Sequence, residues 1–192
     1  DLHKAIRRQR QMCIRDRASA GLVRGSLAAS GSDTRTKAII IYFSRTGTTK
    51  GLAEAAAAAT GADLLELTLK EPYADDYSAM TGIARSERAN NARREIAAAI
   101  PDLSGYDVVV IGSPYWWGGL SIPMRTFLMD HPLAGKRVLP FCVSASSSPS
   151  GAWADVRTFC PNAQIAEGFH TTESRAASSR DDLAAWLKRS GL

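Results

Sequence analysis

Residues 37–50 read KAIIIYFSRTGTTK, and the join inside this stretch, from an unbroken apolar run to a hydroxyl-rich turn, decides the fold. Lys37–Phe43 carries three consecutive isoleucines with no polar alternation, as expected of a parallel strand covered on both faces. Thr49–Thr60 then sets Leu52, Ala55, Ala56 and Ala59 on one face, with Thr48 or Thr49 as a cap and Gly61 as a C-terminal stop, the marks of a short helix packed by small residues. A central strand running through a polar turn into a helix opens a β-α-β unit.

The same alternation continues outward. Leu65, Leu67 and Leu69 alternate with Glu66 and Thr68, the period of a strand with one less covered face, so an edge strand is predicted. A helix is expected within Ala79–Ile100, firmest over Ser86–Ile100, where Ala89, Ile96 and Ile100 recur before Pro101 ends it. Asp107–Gly112, DVVVIG, is a second fully apolar run. Helices are then predicted at Ile122–Met129, Ala152–Phe159 and Arg180–Arg189, and strands at Arg137–Val143 and Gln164–Glu167. Pro140 lacks an amide donor, which predicts a bulge or a late start in the fourth strand. Five strands separated by helices predict an α/β chain with a doubly wound five-stranded parallel sheet. Ligands of such sheets bind at the carboxyl ends of the strands, where the strand order reverses.

Composition bounds the rest. A chain of 192 residues, 45% apolar and 22% charged, is the size of one domain able to bury a core without metals or disulfides. The net charge of +5 is uneven: residues 1–37 hold nine Lys and Arg against three Asp and Glu, leaving fifteen against sixteen from residue 38 onward. The basic balance therefore belongs to a leader, residues 1–36, without helical or strand periodicity. The leader is expected to be disordered or non-native, with residues 37–192 as the domain. A near-neutral body gives no warrant for a nucleic-acid surface. Cys13, Cys142 and Cys160 have no metal-ligand or C-x-x-C spacing, so a reducing, cytoplasmic setting is the expectation, export remaining open. No stretch approaches the roughly 20 apolar residues of a membrane span.

Two loops carry candidate chemistry. The first, Ser44-Arg45-Thr46-Gly47-Thr48-Thr49, brings hydroxyls and free backbone N–H groups to the start of a helix. Such a point suits a phosphate, with Gly47 allowing close approach and the helix adding about half a positive charge. It is neither G-x-x-x-x-G-K-[ST] nor G-x-G-x-x-G, and a polar turn capping a helix is the alternative. The second, Gly112-Ser113-Pro114-Tyr115-Trp116-Trp117-Gly118-Gly119, places three consecutive aromatics at the end of a central strand. A flat conjugated ring can lie against those faces; core packing or a partner patch is the alternative. Gly118 and Gly119 give the backbone freedom to turn a carbonyl toward a ligand.

Together, YFSRTGTTKGLAE (42–54) and GSPYWWGGLSIPMRTFL (112–128) resemble the flavodoxin family over about residues 37–190. The resemblance implies strand order 2-1-3-4-5 and non-covalent FMN, with its phosphate on Ser44, Arg45, Thr46, Gly47, Thr48 and Thr49 and its ring beside Pro114, Tyr115, Trp116, Trp117 and Gly118. In similar proteins a third ligand loop, after the fourth strand, is rich in glycine. Here it reads FCVSASSSPSG (141–151), so Ser144, Ala145, Ser146 and Ser147 would meet the pyrimidine edge, with side chains narrowing the approach.

The flavin would then do the chemistry, and no protein group is expected to be catalytic. As a carrier, the protein would pass single electrons between redox partner proteins, with the Gly118–Gly119 backbone bonding the protonated N5 of the half-reduced ring. As an enzyme, it would take a hydride from NAD(P)H and reduce a quinone or similar small acceptor. An interaction module using Trp116 and Trp117 without flavin is a third reading. His131 and His170 lack ligand-spaced partners and receive no role. Asp75-Asp76 reads as a solvated turn, and Cys142 as a small core residue.

Overall fold

A computed structural model describes residues 36–192. The expectation for the leader falls on residues that, Thr36 apart, lie outside the described ones.

The stretch at residues 37–50 forms β1, Ala38–Tyr42, and runs into α1, Thr48–Thr60. β2 (Asp63–Glu66) pairs with one side of β1, and β3 (Val108–Trp116) with the other, all parallel. A two-residue strand, β4 (Gly119–Leu120), folds back antiparallel on the end of β3. β5 (Arg137–Ser144) pairs with β3, and its outer side carries two short segments, β6 (Gln164–Ile165) and β7 (Phe169–Thr172). The order is β2-β1-β3-β5-β6. It differs from 2-1-3-4-5 in the number that the small hairpin strand takes up, and in an edge strand broken into two pieces. The remaining helices are α2 (Tyr77–Ala89), α3 (Ile122–Asp130), α4 (Ser150–Phe159) and α5 (Arg180–Arg189).

Alternate residues of the central strands feed two cores. Ile39, Ile41, Val109 and Ile111 pack with Met80 of α2, Met124, Phe127 and Leu128 of α3, and Ala152 and Val156 of α4. Ile40, Tyr42, Val108 and Val110 face the other way, against Leu52, Ala53 and Ala56 of α1 and Leu183 and Leu187 of α5. Each isoleucine buried this way contributes about 1.5–3 kcal/mol. That is why an apolar run without alternation becomes a central strand.

Three expectations need correction. The helix lies at Tyr77–Ala89, not at 86–100, because Asn91 takes a left-handed φ of 49° and turns the chain out of the helix. The segment beyond it is extended: Lys70 donates its N–H to Glu95 O and Ala97 its N–H to Thr68 O, with Leu69 bridged antiparallel to Ile96. A four-residue spacing such as Ile96–Ile100 fits two strand periods as well as one helical turn. The second strand is Asp63–Glu66 rather than Leu65–Leu69, its line prolonged by the bond from Leu67 N–H to Tyr42 O. Pro140 makes neither a bulge nor a late start, since β5 keeps continuous register with β3 through Ile111 opposite Pro140. Val138 O accepts from Ala166 N–H, so two residues on Pro140 also turns its backbone to the outer edge. There the edge strand is interrupted between Ile165 and Phe169, and no donor is missed.

Candidate functional site

The chain's order in the sheet reverses between β1 and β3, so the loops leaving these two strands open side by side at the carboxyl end. Between them lies a cavity of about 450 Å³. It brings together most of the residues singled out in the sequence: Ser44, Arg45, Thr46, Thr48 and Thr49 from the first loop, Pro114, Tyr115, Trp116 and Trp117 from the second, and Ala145 from the third.

The first loop is organised around Gly47, which precedes α1 at φ +87°. Its N–H donates to Ser44 Oγ at 3.1 Å, leaving the Ser44 hydroxyl proton free to donate onward. Thr46 Oγ1 and Thr48 Oγ1 lie 3.4 Å apart. No side chain caps the helix, and the first N–H taken by a helical carbonyl is that of Gly51, bonded to Gly47 O at 2.9 Å. The N–H groups of Thr48, Thr49 and Lys50 therefore face the loop without an intrahelical acceptor. Thr49 is 2% exposed and still borders the cavity. The first turn of α1 carries no acidic residue, whereas that of α5 carries Asp181 and Asp182; at α1 the positive end of the helix dipole is not neutralised from within its own first turn. Arg45 does not enter as a free cation. Its Nη2 donates to the carbonyls of Ala74 and Asp75 at 3.2 and 2.6 Å, pinning the loop before α2.

Of the three aromatics of the second loop, Tyr115 borders the cavity and the two tryptophans turn opposite ways. Trp116 turns inward, edge-on to Phe43 and Tyr73 at ring-centroid distances of 5.6 and 5.2 Å. Tyr73 is itself held by a 2.6 Å hydrogen bond to Glu87, by Arg94 bonded to the same carboxylate at 2.8 Å, and by the Arg94 guanidinium 3.8 Å above its ring. Burial, then that bond, pushes the Tyr73 phenol far above its ordinary pKa. Trp117 turns outward, 48% exposed. With Gly118 it forms a two-residue turn in which both residues have positive φ, 46° and 89°, the geometry that matches strand twist in a tight hairpin. A tryptophan there carries strain of about 1–3 kcal/mol, offset by its Nε1–H donating to Thr81 O at 2.9 Å and by Arg85 5.2 Å from its ring centroid.

Other predicted residues lie off the cavity wall. Gly47 shapes the first loop from behind, and Gly118 turns its carbonyl to Arg88 Nη2 at 3.2 Å, not into the cavity as expected. Ser144 is buried, donating to Ser147 O at 2.8 Å while its oxygen lies 2.9 Å from His170 Nε2. It thereby fixes the third loop from within. Ser146 and Ser147 are exposed and are not among the residues lining the cavity.

The sequence missed one wall. Tyr77, Met80, Thr81 and Ala84 of α2 line the cavity, as do Val143 and Glu173. Asp76 held the signal: Asp75-Asp76 is the exposed turn expected there, and Asp76 Oδ1 also accepts from Ala79 N–H at 2.7 Å as the cap of α2.

A family profile described as flavodoxin matches residues 37–190. The described fold is similar to solved proteins named as flavoproteins. One from Bacteroides uniformis is 28% identical, with a TM-score of 0.69 over 79% of this chain and 97% of that one. One from Bacteroides eggerthii is 30% identical, with a TM-score of 0.63 over 77% and 98%. A third, from Lactobacillus acidophilus and solved in complex with FMN, is 24% identical, with a TM-score of 0.65 over 78% and 99%.

Proposed function

The chain belongs to the flavodoxin family, and on that footing we propose that it binds FMN non-covalently in the cavity between the β1 and β3 loops and transfers electrons through it. The observation that carries the proposal is the convergence of unpartnered donors and aromatic faces on one cavity. The N–H groups of Thr48–Lys50 and the hydroxyls of Ser44, Thr46, Thr48 and Thr49 fit a phosphate without a lysine. Tyr115, Trp116 and Trp117 fit a planar ring, each stacked or edge contact adding about 0.5–1.5 kcal/mol beyond the area buried. Pro114 and Ala145 close the sides.

Bound there, the flavin supplies reversible one- and two-electron redox chemistry. The chain's own residues bind and orient it. Trp116, braced by Phe43 and Tyr73, fixes one wall, and Trp117, tied to α2 through Thr81, limits water access on the other. A second reading, an NAD(P)H-dependent reductase of quinones or similar acceptors, is favoured by one observation: the Gly118 carbonyl is already engaged by Arg88, so the turn does not offer this acceptor freely to a half-reduced ring.

The deciding experiment is the visible spectrum of the full chain before and after FMN addition, followed by stepwise anaerobic reduction. A bound-flavin spectrum is expected. Passage through a one-electron-reduced species supports single-electron transfer, direct bleaching supports the reductase, and absence of uptake refutes the proposal.

A further inference from the structure

The turn that joins β3 to β4 is fastened from behind the cavity. Arg88, near the end of α2, donates from Nη1 to Asp155 Oδ2 at 2.7 Å and from Nη2 to Asp155 Oδ1 at 3.3 Å. The same Nη2 donates to the Gly118 carbonyl at 3.2 Å. Asp155 Oδ2 also accepts the Leu120 N–H at 2.9 Å. One fork-shaped ion pair, its side chains 21% and 13% exposed, therefore grips the turn through the carbonyl of Gly118 and the amide of Leu120. No slack surrounds it: a Cβ on Gly119 would overlap Asp155 and Arg88, and a Cβ on Gly151 would overlap the Gly118 oxygen. Both groups that meet this oxygen, Arg88 and Gly151, lie off the cavity wall.

We propose that Arg88 is a positioning residue, a latch that withholds the Gly118 carbonyl from the ring bound in the cavity and so makes the site pass electrons in pairs. The inference rests on the FMN reading above. Adding one electron and one proton to the ring creates a ring N–H. A carbonyl that accepts this N–H eases the first addition, and it changes the second little, because the N–H is present before and after it. With that carbonyl held by Arg88, the first addition becomes harder and the second stays as it was. The half-reduced fraction falls, and two electrons arrive together as a hydride, carrying one proton, from a donor such as a reduced nicotinamide, which leaves oxidised; a second proton, where the ring takes one, comes from solvent.

The test uses the full chain loaded with FMN and titrated anaerobically with dithionite, reading the half-reduced fraction by long-wavelength absorbance and by electron paramagnetic resonance. Arg88→Met removes the latch, and the formation constant of the half-reduced state is expected to rise by up to about tenfold, the scale of one hydrogen bond between neutral groups. Arg88→Lys, a point charge without the fork, falls between. Gly151→Ala, whose Cβ would meet the Gly118 oxygen and, at 3.1 Å, the Tyr115 hydroxyl, but neither Arg88 nor Asp155, displaces the carbonyl and should give the same rise; with ring affinity checked against wild type, it decides the matter if Arg88→Met does not fold. In the ligand-free chain, amide hydrogen exchange at Leu120 should quicken in Arg88→Met, a readout independent of flavin. An unchanged formation constant with FMN bound overturns the latch and leaves the cofactor reading standing. Failure of the wild-type chain to take up FMN overturns both.

Discussion

Thr49→Val separates a binding role from a structural one. Thr49 is 2% exposed, valine has nearly its shape, and the Thr49 hydroxyl takes part in none of the side-chain hydrogen bonds of its loop, which join Ser44 to Gly47 and Thr46 to Thr48. Removing the hydroxyl therefore breaks no bond within the protein and opens no cavity. The ligand-free chain should keep its stability to within about 0.5 kcal/mol, a shift in Tm of no more than about 2 °C for a domain of this size. Binding should respond differently, because the hydroxyl borders the cavity beside the free N–H groups of α1. One hydrogen bond to a charged phosphate contributes about 1.5–3 kcal/mol, which at about 1.4 kcal/mol per decade raises the Kd for FMN some ten- to one-hundredfold. Calorimetric melting of the ligand-free protein and titration of FMN fluorescence measure the two quantities. Riboflavin, which lacks the phosphate, is the control, and its affinity should not change. Equal FMN affinity in the variant, or an equal loss with riboflavin, would refute the placement of the phosphate.

Three further outcomes follow from the same geometry. Gly47→Ala meets no atom within 4 Å but forces an L-residue to φ +87°, costing about 1–2 kcal/mol, and should lower both Tm and FMN affinity; a thermal melt unchanged from wild type would contradict the conformation assigned to this turn. Tyr73→Phe deletes the 2.6 Å bond to Glu87 under Trp116, and a loss of about 1–3 kcal/mol with an altered near-ultraviolet circular dichroism signal is expected, while retention of both would separate Trp116 from that network. Burial holds the His170 imidazole below its ordinary 6.5, so the unfolded chain takes up the proton first. That share of the stability is whole above about pH 6.5 and is lost as pH falls through the folded value. Denaturant titrations at several pH values should show a slope that His170→Gln flattens, and equal slopes would remove His170 from the account.

What could be read from the sequence followed from where each signal is local. β1 and β3 declared themselves because burial on both faces demands uninterrupted apolar residues, and the Ser44–Thr49 turn because its hydroxyls are contiguous with a helix start. α2 was displaced because Ile96 and Ile100 satisfy either period, and only the turn at Asn91 distinguishes them. Its wall of the cavity was invisible for a related reason: Met80, Thr81 and Ala84 are ordinary residues of an amphipathic helix until the helix has been placed. Pro140 misled because a proline's cost in a strand depends on which neighbour its nitrogen faces, and that neighbour is set by an edge strand that breaks at the same level.

The charges were the least legible feature, and on the latch proposed above they govern how the site divides its electrons. Arg88 and Asp155 stand 67 residues apart, on α2 and α4, and each read alone is a solvent-facing residue of a helix. Packing α2 and α4 on one face of the sheet brings them together behind the hairpin, and only there does Arg88 acquire its second role toward Gly118. The motif at residues 114–119 fixes which side chains can meet a flat ring, whereas the direction of the backbone carbonyl in the same turn is set by two helices that the motif does not contain. Two proteins with the same loop sequence and different residues at positions 88, 151 and 155 should therefore bind the same cofactor and divide its electrons differently.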